Sequence, residues 1–282
     1  MDKDPFYIKK NSGDLEPFSI KKLKESLRNC GVKSNEIASI VQIITPQLYD
    51  GISTGEIHKK VYPLLKKSNR VYASKYNLKR AIFDLGPTGY PFERLVAALL
   101  KEKGYETRVS TVVQGKCVTH EIDVLAEKEG NTYAIECKFH ADSGTASNVK
   151  VPLYIHSRFL DVQEEWNSSP ANKTILKQGW LVTNTRFTSD AIDYGNCIGL
   201  TLLGWNYPVD NGMKANIDAY CLYPITALTT LSKNEKQELI AKDIILVKEL
   251  AVRSHKLIEL DLSPARLKKV LSEMGQLIRS PL

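Results

Sequence analysis

The sequence predicts an α/β multidomain protein, with a mostly α-helical N-terminal segment (residues 1–88), a central α/β core (89–222) and a small α-helical C-terminal domain (223–282). Three observations predict it. Side-chain alternation in residues 118–125 and 133–139 marks two strands in the middle of the chain. The run Asp84-Leu85-Gly86-Pro87-Thr88-Gly89-Tyr90-Pro91 breaks a helical pattern and reads as a short hinge. Beyond Tyr223-Pro224-Ile225, Leu228, Leu231, Leu239, Leu246 and Leu250 recur through a helical tail.

The two strands carry the most informative residues. In 133–139, Ile135, Cys137 and Phe139 fall on one face, and Glu136 and Lys138 on the other. The same parity puts Glu121 and Asp123 together on one face of 118–125. Between them Glu127-Lys128-Glu129-Gly130-Asn131-Thr132 is rich in turn formers, which predicts a hairpin. Pairing would bring Asp123 close to Glu136, with Lys138 beside them. Carboxylates plus one ammonium suit Mg²⁺ and a water near a phosphodiester, because Mg²⁺ takes oxygen ligands, keeps several waters and needs only one or two protein carboxylates. Spacing alone fits the solvated face of an exposed hairpin equally well.

The wider sequence adds to this. Gly89-Tyr90-Pro91-Phe92-Glu93-Arg94-Leu95-Val96 with Gly104-Tyr105, then His120-Glu121-Ile122-Asp123-Val124, Ile135-Glu136-Cys137-Lys138, and Trp180-Leu181-Val182-Thr183-Asn184-Thr185-Arg186-Phe187-Thr188 with Ala191 succeed one another in order. This succession resembles the PD-(D/E)xK nucleases, in particular the Mrr-like restriction endonuclease domain, over about half of the chain. The resemblance implies a restriction-endonuclease-like α/β core with a mixed sheet. It implies Asp123 and Glu136 as metal ligands, Lys138 as the residue that activates water or stabilises charge, and Glu93 approaching the site from the first helix. Ile122 stands where the family name has proline. Glu121 reads either as a further ligand or as a neighbour shaping the field, and His120 as a core or supporting residue.

Composition fits a soluble cytoplasmic enzyme without a membrane partner. No apolar run approaches the ~18 residues of a membrane span, and Met1-Asp2-Lys3-Asp4 opens no apolar signal segment. The five cysteines (Cys30, Cys117, Cys137, Cys197, Cys221) are scattered and never form CxxC, which argues against zinc or a disulfide framework. The net charge of +7 is uneven. Residues 1–88 hold 16 Lys+Arg against 9 Asp+Glu (+7), residues 89–223 hold 13 against 16 (−3), and residues 224–282 hold 10 against 7 (+3). Basic flanks around an acidic core could supply phosphate contacts; ordinary solubility explains the same balance.

In the N-terminal segment, Tyr7-Ile8-Lys9-Lys10-Asn11-Ser12-Gly13, Glu16-Pro17-Phe18-Ser19-Ile20-Lys21-Lys22-Leu23, Tyr49-Asp50-Gly51-Ile52-Ser53-Thr54-Gly55-Glu56-Ile57-His58 and Ala73-Ser74-Lys75-Tyr76-Asn77-Leu78-Lys79-Arg80 resemble the hairpin, loop and helices of an ATP-cone. The resemblance implies ATP or dATP as an effector, with Lys9, Lys10, Lys22 and Thr54 as nucleotide contacts. Lysines give fixed positive charge for a triphosphate, and Ser53 or Thr54 can cap the helix at Glu56-Ile57-His58. Asn11-Ser12-Gly13 is one residue longer than the family's aspartate-glycine. A basic helical interaction domain without a ligand is the plainer alternative. The hinge joins the two segments with little slack, so nucleotide binding in one could move the first helix of the other.

The tail faintly resembles a helix-hairpin-helix, but Ser232-Lys233-Asn234-Glu235 replaces the loop glycines, so a degenerate, packing-only version is expected. Ser263-Pro264 reads as a cap with proline at the first helical position. In Leu153-Tyr154-Ile155-His156-Ser157-Arg158-Phe159-Leu160-Asp161, Arg158 is placed to reach phosphate, and a core helix with a surface arginine fits equally. His140 could contact substrate or be a loop residue without a role. Trp180, Trp205 and Tyr207 read as core rather than a base-stacking platform.

The combined expectation is a Mg²⁺- or Mn²⁺-dependent DNA endonuclease regulated by ATP or dATP. The family's habit implies 5′-phosphate and 3′-hydroxyl products. The alternative is a nucleotide-sensing DNA-binding regulator with an inactive nuclease core. A fragment of a nucleotide reductase fails on length. No GxxxxGK[ST] occurs, so nucleotide is expected as effector rather than fuel. A homodimer or a nucleotide-dependent oligomer is left open, since cutting two strands needs two sites.

Overall fold

The computed structural model describes residues 6–279; residues 1–4, on which the targeting expectation falls, lie outside them. The chain divides into two compact units, one built from the segments that end at Ile82 and resume at Tyr223, the other spanning Phe83–Leu222. The C-terminal segment packs in the same unit as the N-terminal segment. No helix among the described residues is long and apolar enough to cross a membrane.

The first unit opens with an antiparallel hairpin of β1 (Tyr7–Lys9) and β2 (Leu15–Pro17). Helices α1 (Ile20–Arg28), α2 (Ser34–Ile44), α3 (Thr54–Ser68), α4 (Arg70–Tyr76) and α5 (Leu78–Phe83) come next. Ser19 caps α1 and Asn69 caps α4. Ser53, not Thr54, caps α3, and its reciprocal bonds with Glu56 satisfy two otherwise orphaned N–H groups. The helix expected over residues 73–80 is split at Asn77, which ends α4. Leu27, Ile44, Ile52, Val61 and Leu65 form the centre of one core from the apolar faces of α1, α2 and α3 and the loop between the last two.

The second unit begins with α6 (Tyr90–Glu102), which stops at Gly104 in the left-handed region (φ +82°) while the Tyr105 N–H returns to the Leu100 carbonyl. Strands β3 (Glu106–Gln114), β4 (Thr119–Lys128) and β5 (Asn131–Lys138) pair antiparallel in sequence. The expected hairpin joins β4 to β5 through Glu129-Gly130, both at positive φ between the paired Lys128 and Asn131. After the short β6 (Ala146–Ser147), α7 (Lys150–Ser168) leads to β7 (Ile175–Thr183), parallel to β5. Next come β8 (Arg186–Phe187, paired with β6), α8 (Ser189–Cys197), β9 (Thr201–Leu203, parallel to β7) and α9 (Met213–Ala219). The result is a mixed five-stranded sheet in the order β3-β4-β5-β7-β9. Phe139, one residue past β5, packs on Phe92 of α6, and α7 lays Phe159, Val162 and Trp166 over Ala134 and Leu176.

Asp161 fastens α7 to the β3–β4 turn. Its carboxylate accepts from the Cys117 N–H (2.8 Å) and pairs with His120 Nε2 (2.7 Å). A side chain at Gly115 would collide with this carboxylate, so the turn closes only around glycine. The imidazole of His120 first, then Cys117, hold the Asp161 carboxyl well below the usual carboxylate range.

The tail completes the first unit with α10 (Lys233–Ala241), α11 (Val247–Val252) and α12 (Pro264–Arg279). Ser232-Lys233-Asn234-Glu235 is not a loop between helices; Ser232 and Glu235 form the capping box that opens α10. Buried Glu273 of α12 ties tail to head, accepting from Ser74 Oγ of α4 (2.8 Å), the Thr229 N–H (2.8 Å) and the Thr230 N–H (3.0 Å) and hydroxyl (2.6 Å).

Both of these carboxylates can be tested by substitution. Glu273→Ala leaves buried donors unmatched and is expected to lower unfolding free energy by about 3 kcal/mol in urea titration; a change below ~0.5 kcal/mol would show that the network carries no stability. The depressed Asp161 carboxyl stabilises the fold above the unfolded pKa near ~4 and loses that contribution as pH falls toward its folded value. Asp161→Asn is therefore expected to lower Tm at pH 7, with the gap closing as the pH falls through ~4 to ~2. A gap constant with pH would contradict it.

Candidate active site

The structure brings Glu93, Asp123, Glu136 and Lys138 within electrostatic reach of one another where β4 and β5 part. The β4–β5 ladder ends at Val124↔Ile135, and beyond it Asp123 Oδ2 accepts from the Cys137 N–H (2.7 Å). On the other side of β4, pairing with β3 is interrupted between Thr111↔Ile122 and Val109↔Val124, opposite Asp123, where Ser110 takes a left-handed φ of +49°. Ile122 and Leu125 both belong to the core layer under α7, although strict alternation would place them on opposite faces. The alternation therefore breaks between Ile122 and Leu125, around the unpaired Asp123, while the Glu121 and Asp123 charges both act on Glu93. The interruption leaves Asp123 outside the ladder, and beside it Ser110 Oγ donates to Glu93 Oε2 (3.4 Å).

Electrostatics reflect this crowding. Burial, then the Asp123 charge, push the Glu93 carboxyl up to about 7. Burial and Asp123 raise Glu136 to about 7 as well, against the opposing pull of Arg158 and Lys138. Burial raises Asp123, partly offset by the Cys137 amide, Arg158 and Lys138. Lys138 itself is exposed at the end of β5. Glu121 adds negative charge to both Glu93 and Asp123.

Among the described residues no three His, Cys, Asp or Glu side chains form a complete metal cage. Mg²⁺ does not require one, since one or two carboxylates plus waters suffice. Carboxyls that resist ionisation together, with all-oxygen donors, fit a hard divalent cation, and Asp123 and Glu136 are the residues that could hold it.

The neighbours sort clearly. His120 pairs with Asp161, a supporting position. His140 is fastened through its backbone to Asn184 (2.8 Å each way) and through Nε2 to Ser147 Oγ (2.9 Å). Trp205 is buried, while half-buried Trp180 packs edge-on against Tyr105 and Tyr133 and half-buried Tyr207 lies edge-on to Phe187. Arg158 read from sequence as a phosphate contact or as a surface arginine on a core helix; the structure puts Nη1 on Glu136 Oε2 at 2.7 Å. Its signal is a charge set on the apolar stripe of Ile155, Phe159 and Val162. Ser110 left no signal in the sequence.

In the first unit the nucleotide candidates gather where β1 meets the start of α3. Lys9 bridges Ser53, the Thr54 hydroxyl lies 3.5 Å from Asn11 Oδ1, and Lys10 (2.6 Å) and Lys22 (3.3 Å) both pair with Glu16. Lys10 first, then Lys22, hold the Glu16 carboxyl below its ordinary value despite some desolvation. Glu16 was not singled out from sequence. It supplies a carboxylate where the two lysines converge.

Residues 6–83 match the ATP cone domain, residues 87–204 the Mrr-type restriction endonuclease, and residues 223–278 the AF1548-like C-terminal domain. An uncharacterized protein of Archaeoglobus fulgidus is 36% identical over 184 residues, which are 65% of this chain and 99% of that protein. The crystal structure of AF1548, a protein of unknown function, is similar at a TM-score of 0.55 and 35% identity, over 68% of this chain and 98% of that one. Can2 from Sulfobacillus thermosulfidooxidans, solved with cyclic tetra-adenylate, reaches a TM-score of 0.32 at 15% identity, over 67% of this chain and 59% of its own. The chain belongs to the AF1548-like family, and in it an ATP cone precedes an Mrr-type restriction endonuclease domain.

Proposed function

We propose that this chain is a Mg²⁺-dependent DNA endonuclease whose activity is set by ATP or dATP. The observation that carries the reading is the meeting of Glu93, Asp123 and Glu136, two of them raised to about 7, beside the Lys138 ammonium. The restriction endonuclease match supports phosphodiester hydrolysis, and the ATP cone match supports a nucleotide effector.

A bound Mg²⁺ would supply Lewis-acid polarisation of the phosphodiester and a more acidic water. Asp123 and Glu136 would hold it, Asp123 kept in place by the Cys137 N–H. Lys138 would orient the attacking water and offset negative charge developing on the phosphoryl oxygens. Glu93, its carboxyl near neutrality and touching Ser110, would take or give a proton through an intervening water. In the cone, Lys9, Lys10, Lys22 and Thr54 would meet the triphosphate, which would compete with Glu16 for Lys10 and Lys22.

Cleavage of plasmid and single-stranded DNA with Mg²⁺ or Mn²⁺ tests the reading. EDTA is expected to abolish cutting, and Asp123→Ala or Lys138→Ala to lower its rate by about 10²-fold or more. Wild-type protein that never cuts but binds DNA in a nucleotide-sensitive way would instead favour the regulator. In calorimetric titration with ATP and dATP, the double change Lys10→Ala and Lys22→Ala is expected to weaken affinity by about tenfold or more, ~1.4 kcal/mol. Unchanged affinity would remove both lysines from the nucleotide site.

A further inference from the structure

Arg158 of α7 is held at three points, and the role those holds give it rests on the metal-dependent nuclease reading. Nη1 donates to Glu136 Oε2 at 2.7 Å, and Nη2 donates to the main-chain carbonyl of Glu121 at 2.5 Å. The ring of Tyr154, one turn earlier on the helix, lies 5.5 Å from the guanidinium carbon. The arginine side chain is 16% exposed. A planar fork bound on two edges and one face has little freedom to swing. Two of its three holds, a backbone carbonyl and an aromatic face, stay in place whatever Glu136 engages. The helix that carries it is itself fastened one turn later, where Asp161 takes the Cys117 N–H and His120.

The consequence falls on Glu136. Arg158 bonds Oε2, so Oε1 is the oxygen a cation can take without disturbing the pair, and a carboxylate turned to present both oxygens to the ion would weaken it. We propose that Arg158 is a positioning residue for the divalent ion: it fixes Glu136 as a one-oxygen ligand, with Tyr154 and the Glu121 carbonyl fixing Arg158 in turn. The opposite role, a built-in cation that competes with the ion for Glu136, fits the geometry less well. A competing arginine must leave when the ion arrives, and this one is anchored independently of Glu136.

The two roles differ in sign. Mn²⁺ binding to the full chain, measured by electron paramagnetic resonance of the free ion, is compared for wild type, Arg158→Ala, Arg158→Lys and Tyr154→Ala, with thermal melts alongside. Removing partners that orient a ligand typically weakens metal affinity by about 10–100-fold. A loss of about tenfold or more is expected in Arg158→Ala. Arg158→Lys keeps the charge but loses the fork, so most of that loss is expected there too, with a smaller loss in Tyr154→Ala. Equal or tighter Mn²⁺ binding in Arg158→Ala would overturn the proposal, as would full recovery in Arg158→Lys, which would assign charge rather than geometry. If Arg158→Ala melts early, Arg158→Lys and Tyr154→Ala decide, and wild-type affinity in both overturns it. Wild-type protein that binds no Mn²⁺ overturns the metal-dependent reading itself, and the proposal with it.

Discussion

The second unit is organised around one electrostatic constraint: three partly buried carboxyls lie close enough together that each resists ionisation. Glu93 comes from a helix, Asp123 from a point where β4 is left unpaired, and Glu136 from the neighbouring strand. Desolvation raises all three, and the Asp123 charge raises both glutamates further. Such an arrangement is unfavourable as pure structure, because a buried carboxylate without a partner is costly. It becomes favourable when a divalent ion or an arginine shares the charge. Arg158 and Lys138 supply part of that compensation from the protein itself.

The rest of the unit holds this arrangement open. A sheet whose ladder closed fully would engage the backbone at Asp123 and align its side chain with the pleat. Instead Ser110 turns left-handed opposite it, and Asp123 is captured by the Cys137 amide. Helix α7 is fixed on the sheet at two successive turns, by Arg158 to Glu136 and the Glu121 carbonyl, and by Asp161 to the β3–β4 turn. The hydrophobic layer of Phe159, Val162 and Trp166 supplies adhesion, and the two polar contacts supply register. In the first unit, buried Glu273 has a comparable part, converting the two ends of the sequence into one packed body.

Much of the fold was legible because it is written in short-range patterns. The β4–β5 hairpin announced itself through alternation and Glu129-Gly130, the end of α6 through Gly104, and the start of α12 through Ser263-Pro264. What pattern could not reveal depends on contacts between distant residues. The break in pairing at Asp123 involves β3 on one side and Cys137 on the other, and nothing in residues 118–125 encodes it. The hold of Arg158 on Glu136 spans 22 residues and a crossover helix, so the arginine read as a phosphate contact or a surface residue of a core helix. Ser232 to Glu235 looked like a degenerate loop because a capping box and a turn draw on the same residue types. The sharing of one unit by head and tail rests on Glu273 and Ser74, 199 residues apart, beyond any local signal.

The most direct test is a crystal of the protein soaked in Mn²⁺, with anomalous difference density measured at the Mn edge. A single peak within ligand distance of Asp123 and Glu136, about 2.0–2.3 Å from one oxygen of each, is the predicted result. A site that stays free of density at saturating Mn²⁺, or a peak bound elsewhere, would contradict the assignment of these carboxylates as the metal centre.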